Sequence, residues 1–171
     1  MVASSSISFE TEDSFRQEVA NLFGIESGGS ESLLRYDRTR PLADALRKLQ
    51  EAIEFSVSDE ARKEGFGPIA KSVCHDSLQV FKGLFPEIIV PQVLCLPGHG
   101  IGLQWNGSNG SIFTISLFGS GLLSYAGIFS DNHRVRGTCS VAAPLAAELT
   151  GALFAHFPNR EGIANGGRTA H

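Results

Sequence analysis

Long apolar runs, paired cysteines and an excess of basic charge are all missing from this sequence. Every apolar stretch is broken by Gly, Ser, Pro or a polar residue well short of the roughly 20 residues a membrane-spanning helix needs. Met1–Asp13 (MVASSSISFETED) has neither a basic n-region nor an apolar h-region, so no signal peptide is expected. The expectation is a soluble, cytoplasmic protein without membrane contact. Cys74, Cys95 and Cys139 form no CxxC pair and have no His at ligand spacing. They read as small buried apolar residues, and neither a metal nor a cofactor is expected. Lys and Arg total 14 against 18 Asp and Glu, a net charge of −4. Direct nucleic-acid binding, which needs a basic face, is therefore not expected. The acidic excess suits a protein partner with a basic surface, such as a nuclease or a nucleic-acid-binding complex.

What is present is enough for one domain. The chain has 171 residues, 42% of them hydrophobic, a length and content that support a single core. Phe15, Val19, Leu22 and Phe23 have helical spacing within Glu12–Phe23, and Gly24 ends that run. Pro41 suits a helix's first turn, and Leu42, Ala45, Leu46, Leu49 and Ile53 then form one apolar stripe. Lys63–Pro68 (KEGFGP) breaks the chain. A third helix is expected from Pro68 to Leu84, with Ile69, Val73, Ser77, Val80, Phe81 and Leu84 on one face.

From Ile88 the period changes from helical to alternating. Ile88–Leu96 is extended, with Pro91 marking an edge or entry strand. Ile101, Leu103 and Trp105 alternate with Gly102, Gln104 and Asn106, and Phe113, Ile115 and Leu117 line one side of the next strand. Asn106-Gly107 and Asn109-Gly110 supply hairpin residues. Gly119-Ser120-Gly121 and Ser130-Asp131-Asn132 turn the chain twice more, before and after Leu122–Phe129, and His133–Cys139 is a last strand. Pro144 opens a helix carrying Leu145, Leu149, Leu153 and Phe157. The fold class expected is α+β: N-terminal helices packed on a four- or five-stranded antiparallel meander, with a C-terminal helix. One domain is expected over 1–157, mainly helical over 12–85, with the sheet at 88–139 and a helix at 144–157. Residues 158–171, polar and Gly-rich, are expected to be a disordered tail.

Gly65-Phe66-Gly67-Pro68, Pro86, Pro91, Pro97-Gly98-His99-Gly100 and Ile101–Trp105 follow one another in an order that resembles a group of small bacterial proteins of uncertain function. The strand Ile112–Leu117 and Tyr125 also fit, so the resemblance spans about residues 63–155. The chain departs from it in having Lys63-Glu64 where a Trp-Asp pair is usual, and in having His99 in the turn. The resemblance implies a companion of toxins or mobile elements, and hence a protein-binding role.

Several fragments invite chemistry. Gly98-His99-Gly100-Ile101-Gly102 is not a phosphate loop, because the dinucleotide fingerprint leads into a helix and this run leads into a strand. Gly119-Ser120-Gly121 lacks the G-x-S-x-G elbow. Cys74-His75-Asp76 lies on a helix, where neighbours point about 100° apart and form no dyad. Asp131-Asn132 is turn chemistry. Arg134 and Arg136 share one face of a strand and are candidates for a partner's rim, beside His133. Leu122, Leu123, Tyr125, Ile128 and Phe129 make a strand apolar on both faces, which calls for a second layer or a partner.

The function expected is therefore non-enzymatic: a protein-binding module that inhibits or regulates a partner by steric masking, in the manner of an antitoxin, an immunity protein or a phage- or defence-associated inhibitor. Its partner-binding residues would be Leu122, Tyr125, Phe129, His133, Arg134 and Arg136, with no catalytic residue, and a homodimer is a candidate assembly. The alternative is a small enzyme or ligand-binding protein that uses His99 and His133 at the sheet edge.

Overall fold

The apolar stripe after Pro41 does form a helix, the longest among the described residues. The computed structural model describes Gln17 and residues 40–160, so the helix expected over 12–23 lies outside the described residues, Gln17 apart. Helix α1 (Arg40–Ser56) buries Ala45, Leu46, Leu49, Ala52 and Ile53 and carries the Arg47–Glu51 ion pair on its outer side. Ser58 caps the short α2 (Asp59–Lys63) by accepting the Ala61 N–H at 3.1 Å.

Helix α3 (Lys71–Leu84) begins three residues later than its Pro68 signal. The buried Ser56 hydroxyl explains the delay. It accepts the Ile69 N–H at 3.2 Å and donates to Ile53 O at 2.6 Å, tying Ile69 to the end of α1. The buried face of α3, which includes Val73, Leu78, Val80, Phe81 and Leu84, then enters the core.

Five strands follow: β1 (Gln92–Leu96), β2 (Gly100–Asn106), β3 (Ile112–Leu117), β4 (Leu122–Ile128) and β5 (Arg134–Ser140). They form an antiparallel meander in the order β1-β2-β3-β4-β5, so the fold is α+β and β1 and β5 are the edges. β1 starts at Gln92 because Pro91 has no N–H to donate. Ile88 instead makes an isolated bridge with Pro158.

Helix α4 (Ala147–His156) closes the described chain, starting three residues after Pro144. Pro158 and Asn159, expected to belong to the tail, are held against the fold. The Asn159 N–H donates to Glu87 O and the Ile89 N–H to Phe157 O. Residues 161–171 lie outside the described residues.

Among the described residues, α1, α3 and α4 lie on one face of the sheet. α1 packs beside β1, and α3 lies under β2 and β3. α4 runs under β4, where Tyr125 meets Glu148 and Phe129 stacks on His156. Ile101, Leu103, Trp105, Phe113, Ile115, Leu117, Leu123 and Tyr125 point into the core between the layers. Trp105 is buried with its indole N–H satisfied by Ile89 O at 2.8 Å. The opposite face has no covering element among the described residues.

Candidate functional site

That uncovered face has a definite pattern because register is exact across five strands. One row runs Asn106, Ile112, Ile128, Arg134, and the next runs Gln92, Gln104, Thr114, Ala126, Arg136. A third runs Leu94, Gly102, Ser116, Ser124, Thr138. At the far end stand Leu96, Phe118 and Leu122. Large apolar side chains thus occupy both ends of the face, with hydroxyl and amide groups between them. Leu94, Ile112, Phe118, Leu122 and Ile128 are each 41–54% exposed.

Charge on the face is one-sided. Arg134 and Arg136 are the only ionisable side chains among the described residues of these strand rows. Ile128 sits directly opposite Arg134, and Ala126 opposite Arg136. Together with Ile112 and Thr114 they line a shallow trough of about 610 Å³. The chain's net charge of −4 is thus not mirrored on this surface, whose described strand positions are cationic.

Phe118 owes its position to glycine. A Cβ on Gly100 would lie 2.5 Å from the Phe118 ring and 2.9 Å from Leu117 O. Only a bare backbone lets the ring lie across β2.

The residues singled out from sequence divide between the two faces. Arg134, Arg136 and Leu122 are exposed on the uncovered face, as a binding role requires. Tyr125 and Phe129 are not available to a partner, and the expectation is corrected for both. Tyr125 is 6% exposed and Phe129 2%, because odd-numbered positions of β4 point inward. Phe129 is stacked on Phe113 and on His156, whose ring centroid is 3.8 Å away. The strand's double apolarity thus resolves into an inner set covered by α4 and an outer pair, Leu122 and Ile128, covered by nothing described. His133 is exposed in the β4–β5 turn, tilted against Phe129. Ile112 and Leu94 escaped the sequence reading. Their signal is phase: Ile112 falls out of step with Phe113, Ile115 and Leu117, so it must face the other way.

The histidine pocket does not form. His99 lies in the β1–β2 turn and His133 in the β4–β5 turn, and turns one and four of a meander fall at opposite ends of the sheet. His99 instead closes two loops. Its Nδ1 is 3.2 Å from Pro68 O, and its ring fills the space a Gly67 side chain would take, with a Cβ there only 2.1 Å from the ring.

The remaining fragments are structural. Cys74 is fully buried. Asp76 is buried and accepts the Gly121 N–H at 2.9 Å, joining α3 to the β3–β4 turn. Ser77 donates to Val73 O. Gly98-His99-Gly100 is a turn into β2. The Cys95 thiol donates to Ala52 O at 3.3 Å, and burial pushes its pKa up. Among the described residues no group of three or more His, Cys, Asp or Glu side chains could hold a metal ion, and no helix is long and apolar enough to cross a membrane. No family model, curated protein or solved structure matches the chain.

Proposed function

We propose that this protein is a non-enzymatic binding module whose uncovered sheet face receives an acidic, amphipathic segment of another protein. The observation that carries the reading is the face itself: exposed Leu94, Ile112, Phe118, Leu122 and Ile128, with Arg134 and Arg136 and no carboxylate. Apolar ends would seat the anchors that dominate binding energy. The two guanidiniums would pair with carboxylates at the rim and set orientation and encounter rate. Masking a partner in this way is the mechanism of an inhibitor or regulator, and an antitoxin, immunity protein or defence-associated inhibitor fits it.

The test is affinity capture from the native host, and with the products of neighbouring genes, using four proteins. These are the wild type, Phe118→Ser/Leu122→Ser, Arg134→Glu/Arg136→Glu, and a control on α2, Arg62→Glu. The reading expects a stoichiometric partner that both face variants lose and the control keeps. Its affinity should fall with added salt. A partner retained by both face variants, or none at stoichiometry, overturns it.

A further inference from the structure

The edge strand β5 has backbone groups to spare. At its two ends the Val141 N–H donates to Gly121 O at 3.0 Å, and the Phe129 N–H donates to His133 O at 2.9 Å. Hydrogen-bonded pairs in an antiparallel ladder recur at every second residue. Val135, Gly137 and Cys139 therefore spend their N–H and C=O groups on β4, and Arg134, Arg136, Thr138 and Ser140 turn theirs outward. No described residue takes those outward groups.

We propose that a second copy of this chain takes them, pairing β5 with β5 antiparallel about a two-fold axis at Gly137. The strand is self-complementary in that register. Arg136 stands opposite the partner's Thr138, and Arg134 opposite the partner's Ser140, so no Arg directly faces another. Every outward N–H and C=O of the seven-residue strand then finds a partner. Sliding by one step in one direction sets Arg136 against the partner's Arg136, which is unfavourable. Sliding the other way leaves Arg134 outside the ladder. On the inner side Val135 faces the partner's Cys139.

The layer beneath is suited to the same axis. α4 is the outermost described helix on the β5 side, and its exposed positions are Ala147, Glu148, Gly151, Phe154, Ala155 and His156. Four of the six are apolar or lack a side chain beyond Cβ, and a helix with so much apolar surface outside its buried face usually has neighbours on more than one side. An edge about 24 Å long with a helix layer below it has the footprint of a modest dimer interface. The assembly would form one continuous sheet and gather both copies' Arg134 and Arg136 at the centre of its open face. It does not depend on the partner-binding reading above, since it uses the edge and not the face.

Three measurements decide it. Light scattering after size exclusion should give twice the 18.3 kDa chain mass, with the dimer strengthened by salt as the clustered guanidiniums are screened. Val135→Cys should cross-link to the partner's Cys139 under mild oxidation, because that pair is of the close, non-hydrogen-bonded type. Val135→Cys/Cys139→Ser should not cross-link. Thr138→Pro removes an outward N–H and leaves the β4 ladder intact, so it should be a folded monomer by circular dichroism and light scattering. A wild type that stays monomeric at all accessible concentrations overturns the proposal. So does a folded Thr138→Pro dimer, or an absence of Val135→Cys cross-links in a dimeric protein.

Discussion

Tyr125 donates its phenolic hydrogen to Glu148 Oε2 at 2.6 Å, linking β4 to the first turn of α4. The ring reaches there by crossing Gly137, where a Cβ would lie 2.5 Å from the phenol oxygen. One hydrogen bond thus joins a strand, its neighbour's glycine and the covering helix.

The bond has a pH signature. Hydrogen bonding to Glu148, then burial and the Glu148 charge, push the Tyr125 pKa up to about 12. A phenol in the unfolded chain ionises near 10. The fold therefore favours the neutral phenol, and this contribution is complete below about pH 10 and lost as pH rises towards about 12. Absorbance titration should show a late-ionising phenol that disappears in Tyr125→Phe. That variant should also lose about 1 kcal/mol at neutral pH in urea unfolding.

The Asp76–Gly121 bond gives a second expectation. Asp76→Ala strands a turn N–H beside a small cavity and should cost about 1–3 kcal/mol by urea denaturation. Asp76→Asn keeps an acceptor oxygen and should cost less. Equal losses would show that the carboxylate charge, not the acceptor, matters there.

The two faces of the sheet should respond unequally. Ile115→Ala empties a fully buried site and should cost about 2–5 kcal/mol. Ile112→Thr and Ile128→Thr, on the open face, should change stability by no more than about 0.5 kcal/mol. A large loss at Ile112 or Ile128 would mean that this face is covered.

Gly127 marks a tight contact in the aromatic cluster. An added Cβ would lie 2.6 Å from the Phe113 ring, and overpacking of that kind costs about 1–3 kcal/mol. Gly127→Ala should be destabilised by that amount in thermal unfolding, and Phe113→Leu should recover part of the loss in the double variant. Additive losses would place the strain elsewhere.

Much of this architecture was readable in the residues themselves. The helical spacing of Ala45, Leu49 and Ile53 and the alternation of Ile101, Leu103 and Trp105 both reflect local periods that burial on one face imposes. Helix starts were less legible. Pro68 and Pro144 both signal one, but Ser56 holds Ile69 out of α3, and Leu145 packs against Gly83 before α4 begins. Of the residues singled out as partner-binding, Arg134, Arg136 and Leu122 lie exposed on the open face and His133 in an exposed turn, whereas Tyr125 and Phe129 are buried beneath the sheet.

The sequence by itself determined the two long helices and the antiparallel meander, because periodicity is a local property; it held no signal for α2, and of the residues expected in the β2–β3 hairpin only Gly110 takes a positive φ. It could not decide which face of β4 stays open, since Leu122 and Leu123 are chemically alike and differ only in phase. Nor could it separate His99 from His133, whose distance depends on the alternation of turns between sheet ends. Those matters were decided by tertiary structure: α4 covers Tyr125 and Phe129, and nothing described covers Ile112 and Ile128. Packing is a relation between elements, and the surface left over exists only once they have met.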